Sequence, residues 1–171
     1  SAVHSFGSLL KDGKIYVVGG DASAGEDMFM KTLEYYPDIH DFGEFLAKAS
    51  RYYSFSKIRY SIDLQVYNIK NNVWTKSKSK FKKRAYHNLN LYKNKIYVLG
   101  GKNSSVNGKF QYLDDTIEVF DIEKDTIIVD NTNPHQAVDF ASFTYDNKMI
   151  LMGGSLKKKN NGFKEYSNKV H

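Results

Sequence analysis

The chain has 171 residues, 41% of them apolar and 15% aromatic, with a net charge of +6. That is enough apolar material to bury a core, which excludes the disordered class, and no apolar run approaches the ~20 residues of a membrane-spanning helix. Cysteine is absent, so disulfides, thiolate metal sites and cysteine nucleophiles are excluded outright.

In chain order, the first clear element is "GKIYVVGG" at 13–20, a polar turn feeding β-favouring residues that end in a glycine pair. The stretch 21–62 interrupts this pattern. Phe29, Leu33 and Tyr36 are spaced as on a short amphipathic helix stopped by Pro37. A second helix follows in "DFGEFLAKAS" (41–50), with Asp41 and Glu44 in capping-box spacing and Phe42, Phe45, Leu46 and Ala49 on one face. "DLQVYNIKNNVW" (63–74) then reads as two strands around a polar turn. "HNLNLY" and "NKIYVLGG" (87–92, 94–101) give another hairpin, "TIEVFDIEKDTI" (116–127) repeats the 63–74 phrase, and "NKMILMGG" (147–154) repeats the glycine phrase a third time.

The intervals show a period. Tyr67 to Gly100 and Phe120 to Gly153 are both 33 residues, and Gly101 to Ile117 and Gly154 to Val170 are both 16. Gly20 to Leu64 alone differs, at 44, an excess of 28. The chain is a 53-residue repeat with one insertion of about 28 residues, and a fixed period of this size signals a repeat architecture. Each copy makes four short antiparallel strands, A to D, starting on a strand A and stopping within a third strand C. Such units bury their faces only by fanning around an axis.

The phrases resemble kelch repeats. A double glycine follows "IYV", a "VY(D/N)" strand comes next, Trp74 stands about seven residues on, and "RAYH" (84–87) fits the arginine and histidine that lead into strand A. Phe6 and Phe140 take the His87 position in the other copies. The resemblance implies an all-β fold, namely kelch-type β-propeller blades: about three four-stranded antiparallel units, with a small helical insertion in the first. The expected division is blade one over 1–80 with the insertion at about 21–57, blade two over 81–133, and an incomplete blade three over 134–171. Gly19, Gly20, Gly100, Gly101, Gly153, Gly154 and Trp74 are the structural repeat positions. Three blades fall short of the four to eight of closed rings, so remaining blades or another copy are expected to complete the circle.

Function is expected on the long B–C and D–A connectors, which emerge on one face; the A–B and C–D turns are too short to form a site. The resemblance implies a binding module using that face. The connector at 75–86 carries Lys76, Lys78, Lys80, Lys82, Lys83 and Arg84 with no acid, and the one after Gly154 adds Lys157, Lys158, Lys159 and Lys164 against Glu165. Phe81, Phe110, Tyr112 and Phe163 interleave with these cations. Clustered positive charge attracts an acidic peptide, an anionic glycan or another polyanion, and the rings suit stacking on sugars. The predicted ligand-binding residues are Lys80, Phe81, Lys82, Lys83, Arg84, Tyr112, Lys157, Lys158, Lys159 and Phe163.

Enzymatic motifs are missing. The five histidines lack metal-ligand spacing, no nucleophile elbow, phosphate loop or zincin motif occurs, and neither a cofactor nor a metal is expected. Galactose-oxidase-type copper enzymes share the architecture but need a cysteine. Sialic-acid mutarotases, also kelch-like propellers, are the alternative: Arg51, Arg59 or Arg84 would hold the sugar carboxylate, with Glu44 or Glu165 as acid–base groups.

Overall fold

The computed structural model describes residues 3–22, 37–38, 40–45, 47, 59–104, 111–158 and 164–171. Strands β1 (Gly7–Lys11), β2 (Lys14–Val18), β3 (Asp63–Asn68) and β4 (Val73–Lys80) pair in that order as one antiparallel sheet. After the short β5 (Arg84–Ala85) come β6 (Asn88–Tyr92) and β7 (Lys95–Leu99), then β8 (Lys102–Ser104) and β9 (Gln111–Leu113), then β10 (Ile117–Asp121) and β11 (Thr126–Asp130). The second sheet has the order β11-β10-β7-β6, the same A–B–C–D meander as the first. The third unit contributes β12 (Ala141–Tyr145) paired with β13 (Lys148–Met152), and its strand C position begins at Val170, which bridges Met152. Within its B–C connector, β14 (Ser155–Lys158) pairs with β15 (Lys164–Tyr166).

The 53-residue period governs register as well as sequence. Ile15 pairs with Leu10 and Tyr67, and Ile96, its counterpart, pairs with Leu91 and Phe120. Backbone strain repeats too. Ser5, Tyr86 and Asp139 all sit at positive φ (53, 61 and 54°), as do Asp12, Lys93 and Asp146 in the A–B turns (49, 53 and 46°). A tyrosine in the left-handed region costs on the order of 1 kcal/mol or more, so Tyr86 holds that conformation because the repeat imposes it.

The glycine doublets form the joints between units. Gly100 has φ 62°, and a Cβ there would stand 2.4 Å from Phe140 Cε1 and 2.7 Å from the Ala137 carbonyl oxygen. Gly19 likewise faces the Arg84 carbonyl and the His87 ring. Only a residue without a side chain lets the next sheet approach so closely. One apolar cluster (Tyr16, Val18, Leu64, Phe81, Ile96, Val98, Phe120) bridges the first and second sheets, and another (Leu99, Ala137, Phe140, Leu151) bridges the second and third. Each fully buried side chain of this size stabilises by roughly 1.5–3 kcal/mol, so the radial stack is held by its interfaces.

Three expectations change. Strand D of the first unit does not end at Trp74: a bulge opposite Asp63 and Gln65 carries β4 on to Lys80. Trp74, one of the structural repeat positions, is not buried. It lies on the outer strand, 57% exposed, packed on Tyr67 with ring centroids 5.0 Å apart. The B–C connectors of the second and third units are not open loops but form the hairpins β8–β9 and β14–β15, with Arg84 and Ala85 pairing to Asn103 and Lys102, and Val138 bridging Ser155.

In the insertion, 42–45 is helical, and Asp41 caps it by accepting the Glu44 N–H at 2.8 Å. The Glu44 carboxylate reaches back to His40 N–H at 3.5 Å. This is the capping box displaced by one residue. The earlier helix around Phe29, Leu33 and Tyr36, and the positions Leu46 and Ala49, lie outside the described residues. Among the described residues no helix is long and apolar enough to cross a membrane.

Candidate functional site

The connector between the first two sheets alternates between surface and core. Lys82 and Lys83 are exposed, Phe81 and Arg84 between which they sit are buried, and Ala85 is fully buried. Phe81 is 4% exposed, and its ring lies 5.9 Å from that of Phe120 in the core. It therefore leaves the set of ligand-stacking residues.

Arg84 is the larger correction, because its side chain is 1% exposed. Its Nη1 donates to the carbonyls of Gly100 and Thr116, each at 3.1 Å, and its Nη2 donates to Glu118 Oε2 at 3.1 Å and meets Asp114 Oδ1 at 3.0 Å. Asp114 also accepts from Thr116 N–H at 2.9 Å and Asn103 Nδ2 at 3.1 Å, and the other Glu118 oxygen accepts Lys82 N–H at 2.8 Å. A guanidinium occupied in this way holds neither a polyanion nor a sugar carboxylate. Burial works against its charge, and Asp114 and Glu118 support it. Burial likewise pushes the Glu118 carboxyl upward, with Arg84 opposing. The knot closes the lead-in strand onto β10, and in doing so it presents Lys82 and Lys83 to solvent.

The remaining predicted cations divide by position. Lys76 and Lys80 lie on β4 and share the Asp63 carboxylate at 2.9 and 2.8 Å, so their field is partly compensated. Lysines along an outer strand also protect an open edge from pairing with other chains. Tyr112 is 52% exposed on β9. Lys157 and Lys158 belong to β14, while Lys159, Phe163 and Phe110 lie outside the described residues. Of the mutarotase candidates, Arg51 is outside the described residues and Arg59 is exposed.

Sequence reasoning missed a group where the connectors of all three units meet. Lys102 Nζ sits 4.4 Å above the Tyr86 ring. Burial lowers the pKa of Lys102; Asp139 and Asp21 raise it, and Lys164 lowers it. Lys102 thus feels charges from both neighbouring units. Lys164 pairs with Asp139 at 3.7 Å and His4 with Asp21 at 3.9 Å. Tyr60 is buried beside Asp21 and Tyr86, and burial holds its hydroxyl strongly protonated. The period carries a signal for this group: Asp21 and Lys102 both directly follow a glycine doublet, and Tyr86 and Asp139 share one repeat position. Among the described residues no three His, Asp or Glu side chains gather as a metal site.

A four-stranded unit repeated radially, with glycine doublets in the joints, defines the propeller class. A Kelch motif matches residues 83–126, from the lead-in to β5 as far as the start of β11 in the second unit. The solved structure of YjhT is similar to the chain with a TM-score of 0.71 and 15% identity, covering 98% of this chain and 52% of that one. The chain thus spans about half the length of that structure. No curated protein matches it by sequence. Residues 83–126 thus carry a kelch motif, and the fold is that of kelch-type propeller blades.

Proposed function

We propose that this chain is a recognition module that binds an acidic ligand, a peptide or an anionic glycan, through the face carrying its B–C and D–A connectors. Kelch motifs generally mediate protein interactions. The observation that carries the reading is geometric: Lys102 on β8 lies 4.4 Å over the Tyr86 ring, and Lys164 on β15 lies 3.7 Å from Asp139, the residue at Tyr86's position in the next unit. Cationic connectors of different blades gather on one side of the frame, where their fields add. Lys82 and Lys83 stand exposed on the adjoining connector, and Tyr112 offers an exposed ring.

The test is retention on immobilised heparin and on polyglutamate across a salt series. The chain should elute later than a neutral protein of its size, and the slope of log affinity against log salt should fall by about one for each lysine removed in Lys82→Gln and Lys83→Gln. Retention that is indifferent to salt, or unchanged in the double variant, would sink the proposal.

A further inference from the structure

Between the first two sheets, at the end where the short turns lie, is a cleft of about 420 Å³. Small-ligand sites span about 300–1,000 Å³. The turns are too short to form a site by themselves, and the walls come from the strands they join. On the first sheet, cross-strand neighbours line one face from mouth to floor: Lys14 with Asn68, then Tyr16 with Val66, then Leu64. Lys14 is exposed and Val66 half-buried, while Tyr16 and Leu64 are 6% and 1% exposed. Phe120 and Ile122 face them from the second sheet. Strand β4 bounds the outer side. Ser77 Oγ donates to Asp125 Oδ1 and Ser79 Oγ to the Asp125 carbonyl at 2.6 Å, which latches the first sheet to the turn between β10 and β11.

The charges that line this cleft leave one cation over. Lys76 bonds Asp63 at 2.9 Å, and Asp125 accepts from Ser77. Among the described residues Lys14 has no ion-pair or hydrogen-bond partner. Its counterpart in the second unit, Lys95, faces Asp121 across the strands, whereas Lys14 faces Asn68. Asn68 and Asp121 do the same work in their turns: Asn68 Oδ1 accepts Asn71 N–H at 3.2 Å, and Asp121 Oδ1 accepts the Glu123 and Lys124 N–H groups, each at 3.1 Å. The turn needs only the oxygen. The amide in the first unit supplies it while removing the acid from beside the lysine, and adds a donor, Nδ2, that has no partner among the described residues. Opposite Asn68 on the same face, Val73 is an apolar side chain left 48% exposed.

We propose that this cleft binds a small aliphatic monocarboxylate, its head held at the mouth by Lys14 and Asn68 and its chain laid inward over Tyr16, Val66 and Leu64 against Phe120. One ammonium and one amide donor suit a single negative charge, and charge-assisted bonds to a carboxylate are the stronger kind. From Asn68 to Leu64 the strand advances ~13 Å, a span for an alkyl chain of moderate length. Such a chain covers the apolar surface of Val66 and Val73 that is otherwise left to water. The cleft lies at the opposite end of the sheets from the B–C and D–A connectors, so the inference does not depend on the acidic ligand proposed for that face.

Titration of the 171-residue chain with octanoate, followed by amide chemical shifts, tests it. Saturable shifts should centre on Lys14, Tyr16, Val66 and Ile122. Lys14→Gln should raise the octanoate dissociation constant about tenfold, the worth of one hydrogen bond to a charged group. The same variant should leave unchanged the binding of octan-1-ol, which has the chain without the charge. Thr75→Trp sets a large ring into the cleft from an exposed position on β4 and should weaken both ligands. Circular dichroism confirms that each variant stays folded, and if Thr75→Trp does not, Lys14→Gln alone decides. An absence of saturable octanoate binding, shifts centred on Lys82, Lys102 and Lys164 instead, or octanoate affinity indifferent to Lys14→Gln would overturn the proposal.

Discussion

Arg84 Nη2 and Glu118 Oε2 lie 3.1 Å apart with their side chains 1% and 2% exposed, although 34 residues separate them. Removing one partner of a buried pair leaves the other charge uncompensated, at a cost of about 3–5 kcal/mol. Arg84→Ala strands both Asp114 and Glu118, so urea denaturation should show a loss of that order. Lys83→Gln, one residue away on the surface, should change stability by less than about 0.5 kcal/mol. Equal effects from the two substitutions would show that Arg84 is not buried as described.

His87 sits in the joint between the first two blades, its Nε2 accepting Gly7 N–H at 3.2 Å. Burial, with Arg84 nearby, depresses its pKa to about 3 from 6.5. The unfolded chain therefore takes up this proton well before the folded one. The stability tied to the neutral ring is fully present above pH 6.5 and is lost as pH falls toward 3, at up to about 1.4 kcal/mol per pH unit. Glu118, whose pKa is raised, acts in the opposite sense, and Asp63, lowered by its bonds to Lys80 and Lys76, acts in the same sense at lower pH. His87→Phe installs the ring that Phe6 and Phe140 place at this position. It should flatten the profile between pH 6 and 4 by close to one proton, while the lost Gly7 acceptor costs about 1 kcal/mol at neutral pH. Denaturation midpoints measured across that range decide it, and an unchanged slope contradicts the buried neutral ring.

Asp63 holds Lys76 and Lys80 on the outside of the first sheet, with lysine exposures of 54% and 51%. Exposed pairs contribute at most about 1 kcal/mol. Asp63→Asn should therefore cost little stability while releasing two cations. Heparin affinity should rise and its salt slope steepen. A weaker interaction would mean that these lysines play no part in attracting the ligand.

Gly100 and Gly13 share a positive φ, 62° and 70°, but differ in surroundings. A Cβ at Gly13 meets nothing within 4 Å, whereas one at Gly100 meets Phe140 and the Ala137 carbonyl at under 3 Å. Gly13→Ala should cost only the strain of the left-handed conformation, about 1 kcal/mol. Gly100→Ala should cost 1–3 kcal/mol more, roughly the penalty of overpacking. The difference between their denaturation midpoints measures how tightly the second and third blades meet.

The frame was legible in the sequence because strand order depends on local signals that the repeat states more than once. Ile15 and Ile96 take equivalent pairings, as the spacing of their phrases requires. The candidate site was less legible because charge is written in the sequence and burial is not. Arg84 and Lys83 are neighbours in one basic run, yet only the distant Asp114 and Glu118 make Arg84 an interior residue. Phe81 was drawn inward by Phe120 from the next blade. The run at Lys76, Lys78 and Lys80 looked like a loop because alternating Lys and Ser give no apolar period, and its pairing with Asp63 and Gln65 comes from across the sheet. The meeting of Lys102, Tyr86, Asp139 and Lys164 was open to reading only by superposing the repeats on the residues that follow each glycine doublet.

The central claim is that ligand recognition belongs to one side of the frame, where connectors of different blades converge. Amide chemical-shift mapping during titration with a short heparin oligosaccharide tests it most directly. Shifts should concentrate on Lys82, Lys83, Lys102, Tyr112 and Lys164, leaving the turns at Asp12, Asn72, Asp125 and Asp146 unmoved. Perturbations centred on those turns, or spread evenly over all exposed lysines, would contradict the account.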